Sequence, residues 1–127
     1  MENIRVYKMD DYTWWASKTS KEETRDCYME EYRRLKEEDV PIGGIRECNL
    51  DTEGMWWETR DDKDLERLGD ADEIVGFEIV KGQTKRKIQF GNLLRDGDKI
   101  FKFISFREAL QKHGDFTEPF CLASTEW

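Results

Sequence analysis

Alternation of apolar and polar positions opens the chain. Ile4 to Lys8 alternates, Asp10-Asp11 reads as a turn, and Tyr12 to Ser17 alternates again, which predicts a β-hairpin. Tyr12, Trp14 and Ala16 share one face of the second strand, and Thr13, Trp15 and Ser17 the other. On this pattern Trp14 is the core candidate and Trp15 points outward.

The period then changes. Ser20 with Glu23 three residues on makes a capping box, acids fill the first turn, and Arg33, Arg34 and Lys36 fill the last, predicting a helix from about Lys21 to Lys36. Thr24, Tyr28, Tyr32 and Leu35 form its inner stripe, with Cys27 beside it. Pro41 and Gly43-Gly44 end the element.

Residues 45 to 73 are less regular. Ile45 to Leu50 and Met55 to Thr59 read as short strands, and Asp61 to Leu68 as a short acidic helix started by Thr59 and ended at Gly69. Alternation groups Met55 with Trp57 and leaves Trp56 with Gly54 and Glu58, so Trp56 is the second outward tryptophan.

The last section is strand-rich. Ile74 to Val80, with Val75, Phe77 and Ile79 on one face, and Thr84 to Phe90 predict a second hairpin across a Lys81-Gly82-Gln83 turn. Lys99 to Ile104 follows, then a helix capped by Ser105 with Glu108 and closed by Gly114, then a strand at about Phe120 to Ser124, with Trp127 at the end. The expected architecture is α+β. It is a single globular domain over residues 1–127, with an antiparallel sheet of about five strands, one longer helix covering it, and one or two short helices.

Composition narrows the function classes. Charged residues make up 39% of the chain, which leans towards disorder, but 13% aromatic content and five Trp supply the apolar area of a folded domain. Neither an apolar run near membrane-spanning length nor a charged-then-apolar leader is seen, so no span or secretory signal is expected. Cys27, Cys48 and Cys121 form no CxxC pair, and together with His113 they lack zinc-ligand spacing. They read as buried free thiols, and no metal or cofactor is expected. Asp96-Gly97-Asp98 resembles a fragment of a calcium loop without its remaining ligands. His113 reads as structural, in the last turn of a helix. No catalytic residue is signalled, and the chain reads as a non-enzyme.

Charge is unevenly placed. Of the net −8, residues 1–73 hold 12 basic and 22 acidic side chains, and residues 74–127 hold 9 basic and 7 acidic. Such a field disfavours direct contact with DNA or anionic lipid and favours a basic partner. Asp61, Asp62, Asp64, Asp70 and Asp72 would supply the field, with Trp15 and Trp56 as aromatic anchors. Within the basic half, Lys81, Lys85, Arg86 and Lys87 form a local knot. Its ordinary reading is edge protection; its functional reading is a cradle for nucleotide phosphates, with Trp15 or Trp56 stacking on the base. Two outward tryptophans also predict symmetric pairing into a homodimer.

Two segments, VYKMDDYTWWASKTSKEE at residues 6–23 and SFREALQKHGDFTEPFCLASTEW at residues 105–127, resemble the opening and closing segments of small proteins from phages and prophages of bacteria. The resemblance covers about a third of the chain. It implies an antagonist of bacterial immunity, either an anti-CRISPR protein that binds an effector or a sponge of the anti-Thoeris kind that sequesters a nucleotide signal. The expected partner is then a nucleic-acid-handling defence effector, the alternative ligand a cyclic or adenine-containing nucleotide, and the compartment the bacterial cytoplasm. No family site residues carry over.

Overall fold

The computed structural model describes residues 4–10, 12–32 and 36–124, with residue 37 described by its backbone alone. These residues form an α+β fold in two compact units, residues 1–50 with 113–127, and residues 51–112. The antiparallel strands are more numerous than the sequence suggested. Instead of one sheet there are two four-stranded sheets and a two-stranded ribbon.

In the first unit, β1 (Arg5–Asp10) and β2 (Thr13–Ser17) form the predicted hairpin, flanked by β3 (Arg46–Glu47) and by β10 (Phe120–Ser124), in the order β10-β2-β1-β3. Helix α1 (Lys21–Glu31) starts where the sequence placed it, with Ser20 Oγ accepting from Glu23 N–H at 3.2 Å. It ends a turn early, capped at Tyr32, which is 44% exposed and so leaves the inner stripe. Arg33, Arg34 and Leu35, like Asp11 of the first turn and Trp127, lie outside the described residues.

The core of this unit corrects the tryptophan assignment. Tyr7, Met9, Trp15, Tyr28, Val40 and Ile45 form one buried cluster, and the Trp15 and Tyr28 rings meet edge to face at 5.5 Å. Trp15, expected outside, is 4% exposed, while Trp14 is only half-buried, with Lys8 Nζ 5.6 Å from its ring centroid. The polar neighbours that made this face look solvated, Thr13 and Ser17, are themselves buried, and Ser17 is hydrogen-bonded to α1. Thr24 Oγ1 donates to Ser17 Oγ at 2.7 Å, Ser17 Oγ accepts from Thr19 N–H at 3.0 Å, and Thr24 also reaches the Ser20 carbonyl at 2.7 Å. Hydroxyls paired in this way are inexpensive to bury. Burial first, and then the hydrogen bond it donates to Asp10 at 2.7 Å, hold the Tyr28 phenol well above its ordinary value.

The second unit is built on β4 (Gly54–Glu58), β9 (Lys99–Ser105), β8 (Leu93–Asp96) and β5 (Glu73–Ile74), hydrogen-bonded in that order. Helix α2 (Asp62–Leu68) lays Leu65 and Leu68 against Leu93, Ile100 and Ile74. Its cap is Asp61, which accepts from Lys63 N–H at 2.8 Å, and not Thr59. Thr59 instead donates to the buried Asp64 carboxylate at 2.8 Å, and Lys102 Nζ approaches that carboxylate at 3.5 Å. Asp96-Gly97-Asp98-Lys99 is the tight turn between β8 and β9, with Gly97 at φ 63°, which accounts for the calcium-like fragment. Helix α3 (Phe106–His113) carries its predicted cap, Glu108 N–H to Ser105 Oγ at 3.1 Å, and buries Phe106, Ala109 and Leu110.

The remaining hairpin, β6 (Gly76–Val80) and β7 (Gln83–Lys87), pairs only with itself. Its two-residue turn puts Lys81 at φ 52° and Gly82 at φ 78°, both in the left-handed region. A lysine there is strained, because its Cβ crowds the backbone. Lys81→Asn is therefore expected to stabilise the ribbon by a few tenths of a kcal/mol, since asparagine tolerates positive φ in such turns. Slower amide exchange at Val80 and Gln83 would register the gain; unchanged or faster exchange would contradict it.

Candidate functional site

One face of the second unit's sheet carries adjoining, half-exposed aromatic rings. Trp56 stands opposite Phe103 in register, with ring centroids 5.3 Å apart, and Phe90 stacks on Phe103 at 5.7 Å. Phe90 is 47% exposed, and Trp56 and Phe103 are half-buried.

Local sequence explains how the three meet. Phe103 N–H donates to the Asn92 carbonyl at 2.9 Å and Gly91 N–H donates to the Phe103 carbonyl at 2.8 Å, so residues 91–92 extend the ladder beyond β8. Asn92 closes the loop by accepting from Gln89 N–H at 2.8 Å, which leaves Phe90 at its tip. Gly54 supplies the floor. A Cβ there would lie 2.8 Å from Phe90 Cε1 and 2.0 Å from the Ile104 carbonyl oxygen, so any side chain would push the ring and the neighbouring strand away.

Acidic groups surround this cluster in sequence, but they are not equivalent. Glu58 lies on the same face of β4 as Trp56 and pairs with Arg60 at 3.6 Å. Of the five aspartates singled out from the sequence, Asp61 is a helix cap and Asp64 is buried with Thr59 and Lys102, so both serve the fold. Asp62, Asp70 and Asp72 are exposed. The loop carrying Asp70 and Asp72 is fixed from β8, where Arg95 donates to the Gly69 carbonyl at 2.7 Å and the Ala71 carbonyl at 3.3 Å. The first unit has its own acidic field. Burial first, then Glu30, Glu118, Asp26 and Glu23, raise the Cys27 thiol above its usual value.

The basic knot does not survive as one cluster. In the ribbon's register Arg86 faces Phe77, on the opposite face from Lys85 and Lys87, which flank Glu78. Arg86 pairs with Glu73 at 3.3 Å and Lys87 with Glu78 at 4.0 Å, so the cations are partly neutralised. Trp15 is in the other unit's core and Trp56 on another sheet. Trp57, expected in the core, is half-buried and instead walls a cleft of about 270 Å³ with Arg60, Asp64, Lys102, Glu108 and Lys112. His113 is exposed, its ring stacked 4.1 Å from Phe120.

Phe90 and Phe103 were not legible as site residues. Phe103 looked like an ordinary residue of the strand Lys99 to Ile104, aligned with Phe101, and Phe90 like the end of the strand Thr84 to Phe90. The only local signal was the Gly91-Asn92 pair after Phe90, which marks a turn.

Among the described residues no group of three or more His, Cys, Asp or Glu is placed to hold a metal ion, and no helix is long and apolar enough to cross a membrane. By fold the chain is an α+β protein. No family model, curated protein or solved structure matches it.

Proposed function

We propose that this protein is a non-catalytic, phage-type inhibitor that binds a nucleic-acid-handling effector of a bacterial defence system at its basic site, in the bacterial cytoplasm. The observation that carries the binding mode is the partly exposed Trp56–Phe103–Phe90 cluster, whose Trp56 lies on the strand β4 that runs directly into the acidic segment 58–72. Aromatic rings present large, rigid contact area, and their faces attract arginine and lysine. Exposed carboxylates at Asp62, Asp70 and Asp72 steer a cationic partner towards them. The partner class rests on the resemblance of residues 6–23 and 105–127 to small phage and prophage proteins.

The test begins with capture of partners from a bacterial lysate and mass spectrometry of both protein and small molecule retained. With the captured effector, reversing the three exposed aspartates to lysine is expected to slow association about tenfold at low salt while leaving dissociation nearly unchanged. Trp56→Ala is expected to speed dissociation by roughly tenfold or more. Association rates that ignore both salt and charge reversal would remove the electrostatic part. A retained nucleotide with no retained protein would favour a signal-sequestering sponge instead.

A further inference from the structure

The β6–β7 ribbon carries the two most exposed large hydrophobic side chains among the described residues. Phe77 and Ile79 are 63% and 78% exposed on one face, opposite Arg86 and Thr84, and every residue from 81 to 87 is exposed. A two-stranded ribbon without cover is marginal in water, and an unpaired edge is a template for another strand.

The two edges differ. β7 carries Lys85, Arg86 and Lys87 in succession, so a second copy of β7 beside it would oppose like charges. β6 reads Gly-Phe-Glu-Ile-Val, with one charge between two large apolar residues, a pattern symmetric about Glu78. The closing pair Val80–Gln83 fixes the bonding phase. In an antiparallel ladder Val80, Glu78 and Gly76 then exchange hydrogen bonds within the ribbon, and the N–H and C=O groups of Phe77 and Ile79 point out from its edge.

We propose that β6 pairs antiparallel with β6 of a second copy, about a two-fold axis at Glu78, giving a four-stranded sheet with β7 on both outer edges. Phe77 of one copy and Ile79 of the other then exchange the outward hydrogen bonds, and the four side chains form one apolar strip. The two Glu78 carboxylates face each other across the axis. Each has Lys87 Nζ of its own ribbon at 4.0 Å and Lys85 directly opposite, so the acid pair is compensated by four lysines. The outer edges remain guarded by cations, which closes the assembly at two copies.

Sedimentation across roughly 5 to 500 µM covers the affinity range of so small an interface. The measured mass is expected to rise from 15.2 kDa towards twice that value. Phe77→Lys with Ile79→Lys should hold it at the monomer, and Trp56→Ala should leave the rise intact. A second readout does not depend on that double variant folding. In a Cys121→Ser background, Glu78→Cys places two thiols across the axis and should form a disulfide-linked dimer at least about tenfold faster than Lys85→Cys under the same mild oxidation. A wild type that stays monomeric throughout, or equal cross-linking at both positions, overturns the proposal.

Discussion

Trp15→Ala is expected to lower stability by about 3–5 kcal/mol, the usual result of removing a buried tryptophan and leaving a cavity. The ring is 4% exposed, meets Tyr28 edge to face, and packs with Tyr7 and Met9 from β1 and with Val40 and Ile45 beyond α1. Its loss removes the aromatic contact of β2 with helix α1 in the first unit. Trp14→Ala should lower stability by only about 1–2 kcal/mol, because that ring is only half-buried. Urea unfolding followed by circular dichroism measures both, with the Trp15 variant expected to lose at least about 1 M in midpoint relative to the Trp14 variant. Equal losses would mean that the two faces of β2 contribute alike, contrary to the packing.

Gly54→Ala is the second large effect. A methyl at this position would sit 2.0 Å from the Ile104 carbonyl oxygen and 2.8 Å from the Phe90 ring, and the first obstacle is backbone that cannot rotate away. The register Gly54–Ser105 must open, or β4 must separate locally from β9. We expect a loss of about 3 kcal/mol or more, at or above the upper end of ordinary overpacking. The near-ultraviolet dichroism of the Trp56–Phe103–Phe90 cluster should fall with it. Gly43→Ala is the control, since nothing lies within 4 Å of its Cβ position, and it should be nearly neutral. A Gly54→Ala variant as stable as wild type, with its aromatic dichroism intact, would show that the close approach is not required.

Much of the fold was legible because its signals are local. Ser20 and Ser105 announced their helices through cap hydrogen bonds made within a single turn. The Lys81-Gly82 turn stood out as a glycine-containing break between alternating runs, whereas Gly97-Asp98 resembled only a fragment of a calcium loop and shows itself as a turn through the pairing of β8 with β9. The Phe120–Ser124 strand was placed correctly from its apolar run alone. β8 was missed because Leu93-Leu94 is too short a run to show a period, and it becomes a strand only between β9 and β5. The long hairpin strand expected at Ile74 to Val80 divides because Glu73–Ile74 pairs with β8 while Gly76–Val80 pairs with β7.

The candidate site was half legible. Trp56 was singled out by alternation, although β4 is half-buried along its whole length, Trp57 included, and its companions Phe103 and Phe90 lie 47 and 34 residues further along the chain, where no local pattern reports such pairings. The exposure of Phe77 and Ile79 was likewise invisible. Their alternation stated that they share a face, and it could not state that nothing covers it.

The sequence by itself determined the α+β class, the caps of α1 and α3, the turn at Lys81-Gly82 and which residues share a face of the strands it showed, because backbone geometry imposes those periods on neighbouring residues. Which face is buried was decided only by tertiary structure. Thr13, Trp15 and Ser17 looked like a solvated face until α1 supplied Thr24 to Ser17 and Tyr28 to Trp15, since a hydroxyl's tolerance of burial depends on a partner that local sequence does not specify.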